Sequence, residues 1–268
     1  MRIQDKVFVV TGGGSGMGRA LVHALLAKGA RVAAVDINAA ALEETLTQAG
    51  ARRDRVAPFT VNVAERAQVE ALPEQVIARF GAVDGLINNA GVIQPFVKLK
   101  DLDYAAIDRV MNVNLFGTLY MTKAFLPHLL ARPEAHLTNI SSMGGFLPVP
   151  GQTIYGATKA AVKLLTEGLH SELQDTNVRV MVVFPGAMNT NIMVNSGLTS
   201  GPSAQGDAGA IKTLAPDTAA RLILEGIEHN RYRVLVGSDA RFMDALYRLN
   251  PQRAAGFIAK QMAALLSK

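Results

Sequence analysis

Short apolar, β-branched runs alternate with longer amphipathic stretches along most of the chain. Lys6 to Thr11, Arg31 to Asp36, Val56 to Val61, Gly85 to Asn88, Leu137 to Ser141, Val178 to Phe184 and Arg233 to Val236 read as strands. They lack the polar–apolar alternation of a sheet with one wet face, so they belong to a sheet covered on both sides. Between them, Gly16 to Lys28, Ala39 to Ala49, Glu65 to Phe80, Tyr104 to Leu130, Thr153 to Gln174 and Pro216 to His229 carry apolar residues at helical spacing. Helices in those positions are the crossovers that parallel strands require. The pattern predicts an α/β fold, a doubly wound parallel sheet of about seven strands with helices on both faces.

Two stretches depart from this rhythm. Asn189 to Thr213 holds Gly197, Gly201, Pro202, Gly206 and Gly209 among several Ser, Thr and Asn residues. It far exceeds an ordinary connection of roughly 2 to 6 residues. It leaves the sixth strand at its carboxyl end, so it reads as a substrate lid (residues 189–213), mobile until ligand binds. From Asp239 to Lys268, two amphipathic helices flank Asn250-Pro251. Phe242, Leu246 and Leu249 on the first and Phe257, Ile258, Met262, Leu265 and Leu266 on the second are expected to be buried. Three places are open to them: over the pocket, in a subunit contact or at a membrane surface. The whole chain, residues 1–268, is expected to form a single domain, since α/β folds reach about 250 residues around one core.

Composition removes whole classes of chemistry. There is no cysteine, which excludes disulfides, thiolate nucleophiles and cysteine-ligated metals. His23, His128, His136, His170 and His229 have no metal-ligand spacing, so no metal is expected. No apolar run reaches the roughly 18 residues of a spanning helix, and the expected location is the cytoplasm. The net charge is +5, and residues from Arg231 onward hold seven of the 27 basic and two of the 22 acidic residues, which leaves the rest of the chain neutral. The basic end lacks the aromatic interleaving of a nucleic-acid surface.

The first strand runs through Thr11-Gly12-Gly13-Gly14-Ser15-Gly16-Met17-Gly18 into a helix. Glycines there allow a tight turn and close approach of a pyrophosphate, whose charge meets free amides and the positive end of the helix. Asp36 closes the second strand, 18 residues beyond Gly18. A carboxylate there accepts hydrogen bonds from both adenosine ribose hydroxyls and repels a 2′-phosphate, which favours NAD over NADP. Ile37 and Asn38 follow without a basic residue. Asp36 as the cap of the next helix is the competing reading.

Tyr155 and Lys159 stand four residues apart at the start of a long helix, 13 residues after the Asn139-Ile140-Ser141-Ser142 strand end. At that spacing they share a helix face. A phenol with a reference pKa of about 10 becomes a usable base when an ammonium lies beside it. In these motifs the chain resembles the short-chain dehydrogenases/reductases, in the subgroup marked by TGxxxGxG and YxxxK. The resemblance runs from Lys6 to Val236 and includes Asn88-Asn89-Ala90-Gly91, Asn112-Val113-Asn114-Leu115, Asn139 to Ser142, and Pro185-Gly186 with Thr190.

The resemblance implies a Rossmann-type fold and a catalytic tetrad of Asn114, Ser142, Tyr155 and Lys159. Ser142 is taken from the serine pair because it has the family's spacing to the tyrosine. It also implies a hydride transfer between NAD(H) and an alcohol or ketone. In it Tyr155 moves the proton, Lys159 holds the nicotinamide ribose, Ser142 orients the substrate oxygen and Asn114 keeps a water. Cofactor contacts are expected from Gly12, Ser15, Gly16, Met17, Gly18, Asp36, Ile37, Asn62, Val63, Asn89, Ala90 and Gly91. Tyr155, Lys159, Pro185, Gly186, Met188 and Thr190 complete that set. Asn62 stands where the family commonly has Asp on the adenine amine, and an amide oxygen accepts that bond too. Met188 replaces the more frequent Val or Ile beside the carboxamide.

The substrate pocket is expected to be lined by Gln94, Met143, Phe146, Gln152, Met188, Ile192 and Met193, with Gly144 and Leu147. These residues carry no charged anchor, which favours a neutral, largely apolar secondary alcohol or ketone. An NADPH-dependent carbonyl or 3-oxoacyl reductase is the alternative, marked by a basic residue near Ser15 or after Asp36. A non-catalytic NAD-binding scaffold or sensor would lack a tetrad member. Apolar residues on the two long helices, Phe116, Leu119, Phe125, Leu129, Leu164, Leu165 and Leu169, together with the resemblance, imply a homodimer or homotetramer.

Overall fold

The computed structural model describes residues 1–188, 192–198 and 213–266. Seven parallel strands form one sheet in the order β3-β2-β1-β4-β5-β6-β7. They are β1 (Val7–Thr11), β2 (Arg31–Asp36), β3 (Val56–Thr60), β4 (Gly85–Asn88), β5 (Ala135–Ile140), β6 (Val178–Pro185) and β7 (Arg233–Val236). The order reverses between β1 and β4, and a doubly wound sheet opens its ligand crevice at the carboxyl ends of such a pair. Thr11 and Asn88 end those two strands.

The absence of alternation along the strands has a direct cause. Phe8 and Val10 of β1 point into a cluster with Leu21, Leu25, Ile223 and Ile227. These come from α1 (Gly16–Ala27) and α9 (Pro216–Glu228). Val7 and Val9 point the other way, to Val76, Phe125 and Leu129. Those belong to α4 (Leu72–Phe80) and α6 (Gly117–Leu130). Both faces of the central strands are therefore dry, so both of their registers are apolar, while Pro58 and Thr60 of the edge strand β3 reach solvent.

Two expected helices are interrupted. Glu65 to Phe80 divides into α3 (Arg66–Glu70) and α4, with Pro73 in the first turn of the second, where its missing N–H costs no hydrogen bond. Tyr104 to Leu130 divides into α5 (Tyr104–Val110), a wider π-helical turn over Met111–Phe116, and α6. Asn114 sits buried in that turn, and π-turns of this kind mark places where a side chain is needed off the regular α phase. The fifth strand begins at Ala135, two residues before the expected start. This encloses His136, and burial lowers its pKa to about 3, so the imidazole is neutral.

The C-terminal helices, α10 (Ser238–Leu249) and α11 (Pro251–Leu266), pack over the segment that follows β5. Leu147, Met243, Ala254 and Ile258 form this third cluster, with Phe146, Leu246, Tyr247 and Met262 against it. The expectation that their large apolar residues are all buried is corrected: Phe242, Leu249 and Phe257 are 59%, 85% and 43% exposed. The same holds in reverse for the long helices. Phe125 and Leu129 are fully buried in the chain's own core, and Leu165 and Leu169 are half-buried, which leaves Phe116, Leu119 and Leu164 exposed.

Phe125→Ala removes a fully buried ring and is expected to lower unfolding free energy by about 3–5 kcal/mol. Phe242→Ala is expected to change it by no more than about 0.5 kcal/mol. Urea unfolding followed by circular dichroism checks both.

Candidate active site

The glycine turn is fixed by backbone contacts that admit no side chain. Gly12 and Gly16 take φ of +69° and +51°, the left-handed region that glycine enters freely. A Cβ on Gly18 would run into the carbonyl of Gly12. The turn therefore lies directly on the start of α1. Its Gly13 amide donates to Val35 O at 3.0 Å, and its Gly14 amide to Asp36 Oδ2 at 3.0 Å.

Asp36 is not the cap of α2 (Ala39–Gln48); Asn38 is, accepting from the Ala41 amide at 3.0 Å. The Asp36 carboxylate instead stands half-buried at the mouth of the turn, with Oδ1 accepting from the Asn38 amide. The Arg19 guanidinium, from α1, is held by Glu44 of α2 at 2.6 and 2.7 Å and by Thr45 Oγ1 at 3.0 Å. Arg19 also donates to Gly14 O through Nε and Nη2, so it braces the turn from the α2 side.

The loop after β4 is sewn to this turn. Thr11 Oγ1 accepts from the amides of Asn89 and Ala90, both at 2.9 Å, and Asn89 Nδ2 donates to Thr11 O at 2.8 Å. Asn88 looks the other way and ties strands, donating to Asn139 Oδ1 at 2.8 Å and Thr122 Oγ1 at 3.0 Å.

Ser142, Tyr155 and Lys159 meet at the end of β5. Helix α7 (Thr153–Glu172) carries the last two, and its orientation is set at its first turn. Gln94 Oε1 accepts from the amides of Ile154 and Tyr155 at 2.9 and 3.0 Å, while Gln94 Nε2 donates to Gly151 O at 3.1 Å. Gln152 Nε2 donates back to Gln94 O at 2.8 Å. Four residues on, Lys159 Nζ donates to Ile140 O at 2.9 Å and lies 5.9 Å from the Tyr155 ring centre. Ser141 Oγ donates to Lys159 O at 2.7 Å, which pins the helix to the strand end.

Asn114 reaches the same point from the π-turn. Its Oδ1 accepts from the Val92 amide and its Nδ2 donates to Val92 O, each at 2.9 Å, with a further bond to Thr158 Oγ1 at 3.2 Å. A Cβ on Gly91 would stand 3.3 Å from Asn114 Oδ1 and 3.4 Å from Lys159 Nζ. Only glycine leaves that space open.

Electrostatics follow from burial. Desolvation lowers the pKa of Lys159 to about 8. Burial raises the Tyr155 phenol above its ordinary value, and a hydrogen bond with the Ser142 side chain partly opposes the rise. No group of His, Asp and Glu suited to a metal ion occurs among the described residues. No helix among them is long and apolar enough to cross a membrane.

One cavity of about 910 Å³ joins these parts. Gly12, Ser15, Gly16, Met17, Gly18, Asp36 and Ile37 line one end, and Asn62, Val63, Asn89, Ala90 and Gly91 its floor. Ser142, Met143, Gln152, Tyr155, Lys159, Pro185, Gly186, Met188, Ile192 and Met193 line the other. Asn62 Oδ1 accepts from the Ala64 amide at 3.0 Å, so the side chain is already held in place.

Three expected substrate residues are not on the wall: Gln94, Phe146 and Leu147, the last fully buried in the third cluster. Gln94 is fully buried beneath it as the anchor of α7, and Phe146 packs edge-on against Phe184 under the C-terminal helices. Asn114 is buried behind the wall. Thr190, like most of the expected lid (residues 189–191 and 199–212), lies outside the described residues.

The described part of the expected lid, α8 (Ile192–Asn195) and the residues after it, crosses the cavity. Asn195 Nδ2 donates to Ser15 Oγ at 2.7 Å and Ser196 Oγ accepts from the Ile93 amide at 2.9 Å. Arg109, which no local signal singled out, lines the cavity and donates to Ser196 O. Phe96 and Met262 were also missed as wall residues. Met262 arrives from α11, 103 residues beyond Lys159, by tertiary packing alone.

Comparison with known proteins places this geometry. Residues 6–200 match the family model described as short chain dehydrogenase. SadH of Mycobacterium tuberculosis, an oxidoreductase by its name, is 36% identical over 92% of this chain and 91% of its own length. The 3-oxoacyl-[acyl-carrier-protein] reductase FabG of Thermotoga maritima is 35% identical over 71% of this chain and 77% of its own. A short-chain dehydrogenase/reductase from Burkholderia phymatum in complex with NAD superposes with a TM-score of 0.84 at 28% identity, over 94% of this chain and 95% of that one. A short-chain dehydrogenase from Burkholderia cenocepacia in complex with NADP superposes at 0.78 and 29%, over 96% and 99%. With the family model spanning most of the sheet and the fold shared end to end, the chain belongs to the short-chain dehydrogenase/reductase family of oxidoreductases.

Proposed function

We propose that this oxidoreductase transfers hydride between NAD(H) and a neutral, largely apolar secondary alcohol or ketone, with Tyr155 as general acid and base. The observation that carries the reading is the convergence of Tyr155, Ser142 and buried Lys159 on one cavity whose far end is the glycine turn and Asp36. The residues fit a dinucleotide. The glycine turn lines one end of the cavity at the start of α1, and the missing side chain at Gly91 leaves Lys159 Nζ open toward it.

In this reading the turn and the start of α1 hold the pyrophosphate, Asp36 the adenosine ribose, Asn62 and Val63 the adenine, and Lys159 the nicotinamide ribose. Pro185, Gly186, Met188 and Thr190 flank the carboxamide. When bound, the nicotinamide supplies the hydride acceptor in oxidation and the donor in reduction. Tyr155 Oη takes the alcohol proton in oxidation and returns it in reduction. Burial disfavours its phenolate, the hydrogen bond with the Ser142 side chain partly offsets this, and Lys159 Nζ lies 5.9 Å from the ring centre. Asn114, tied to Val92 and Thr158, keeps the buried ammonium's surroundings polar and in register. Met143, Met188, Met193 and Ile192 leave the substrate an apolar, adaptable wall.

The preference for NAD rests on the Asp36 carboxylate at the turn and on the engagement of Arg19 by Glu44. NADP(H)-dependent 3-oxoacyl reduction is the second reading, favoured by the likeness to a protein bearing the reductase name. Turnover of any alcohol separates both from a non-catalytic scaffold. The exposed Phe116, Leu119 and Leu164 support pairing of the long helices with a second copy.

Three outcomes test the proposal. Isothermal titration should find NADH bound much more tightly than NADPH, and Asp36→Ala should narrow the gap at least tenfold; equal affinities in the unmutated protein would overturn the preference. Tyr155→Phe should retain NADH binding while kcat on an active alcohol falls by at least about a thousandfold; near-normal turnover would refute the role. The third concerns pH. With the folded-state pKa of Lys159 near 8 and the ordinary value at 10.5, the unfolded chain binds more protons between those limits. Stability therefore rises with pH across that window, by about 3 kcal/mol relative to a Lys159→Met variant. Urea midpoints of both proteins at the two ends of the window measure it.

A further inference from the structure

The chain's excess of positive charge lies entirely from Arg231 onward, and the fold separates the signs there. Both carboxylates are turned inward. Asp239 accepts from the Ala187 amide at 2.7 Å. Asp244, buried, accepts from Arg233 Nη2 at 2.7 Å and Arg248 Nε at 3.0 Å. The cations Arg231, Arg241, Arg248, Arg253 and Lys260 are exposed, and Arg248 leaves 64% of its side chain in solvent while holding Asp244.

Large apolar side chains stand among these cations. Leu249 is 85% exposed, the most of any large apolar residue among those described, with Phe242 at 59% and Phe257 at 43%. On α10 the exposed positions Arg241, Phe242, Ala245, Arg248 and Leu249 recur at helical spacing and form one stripe. Arg253, Phe257 and Lys260 repeat the pattern on α11.

Apolar anchors flanked by cations, with no exposed carboxylate among the described residues of either helix, are the composition of helices that lie in a lipid headgroup layer. A two-fold contact with a second copy would set the same cations against themselves. A nucleic acid would meet the cations and leave three large apolar side chains without a partner.

We propose that the hairpin of α10 and α11 docks on an anionic lipid surface. The Phe242, Leu249 and Phe257 side chains enter the acyl boundary, and the Arg and Lys side chains meet headgroup phosphates. The docking is peripheral, since neither helix is long and apolar enough to span. The docked hairpin adjoins the cavity, since α11 contributes Met262 to its wall.

Co-sedimentation of the full chain with phosphatidylcholine vesicles, with and without about one-third phosphatidylglycerol, tests it. The protein should pellet with the anionic vesicles, stay in solution with the neutral ones, and be released by salt. Arg241→Gln and Arg253→Gln should each weaken binding about fivefold. Phe242→Ser combined with Leu249→Ser should weaken it at every salt concentration while the thermal midpoint holds. Should that double variant fail to fold, the two exposed Arg variants decide alone. No pelleting of the unmutated chain, equal pelleting with both vesicles, or full binding by folded variants would overturn the proposal. So would a variant whose light-scattering mass falls without any vesicle binding having been seen, which would make the stripe a contact between copies.

Discussion

An ammonium removed from water sits at the centre of this molecule's chemistry. Lys159 Nζ donates to one carbonyl among the described residues, that of Ile140, and burial lowers its proton affinity. Keeping a cation there constrains everything around it. The strand end must present a carbonyl, the helix must be pinned so that the side chain reaches it, and the neighbouring loop must leave space beside it. Ser141 supplies the pin, and Gly91 the space. The same burial that makes the ammonium costly places it one helical turn from the phenol, on the wall of the same cavity.

The loops at the carboxyl ends of the strands are held in a common way. Side chains satisfy backbone groups that no strand or helix pairs: Gln94 the opening amides of α7, Asn114 both polar groups of Val92, Thr11 two successive amides after β4. Buried backbone groups left unpaired are expensive, so each of these bonds fixes a loop conformation with little alternative. Positions that look like surface connections in sequence are thereby as determined as the sheet.

Much of the architecture is legible in the chain because periodicity reports burial, and burial here is two-sided. Arg31 to Asp36, Gly85 to Asn88 and Arg233 to Val236 keep the limits their apolar runs suggest. The glycine turn is legible for a related reason: backbone contact leaves a direct mark on residue type. Gln94, Phe146 and Leu147 lie beneath the cavity wall rather than on it, because position along the chain says which loop a residue occupies but not whether it faces the cavity or the layer beneath. Arg109 and Met262 were invisible because their proximity to the cavity comes from packing between distant segments, which leaves no local pattern.

The wider turn at Met111–Phe116 has a consequence for rotation. An α-helix advances about 100° per residue, and a π-turn accommodates one residue more than the α repeat allows. The angular phase of α5 is therefore offset from that of α6 within what is otherwise one rod. Arg109 on the first part faces the cavity, while Phe125 and Leu129 on the second face the sheet. A chain lacking one residue in that turn would recover a regular helix and lose the offset. The two halves could then no longer both be correctly aimed, although every side chain involved were still present.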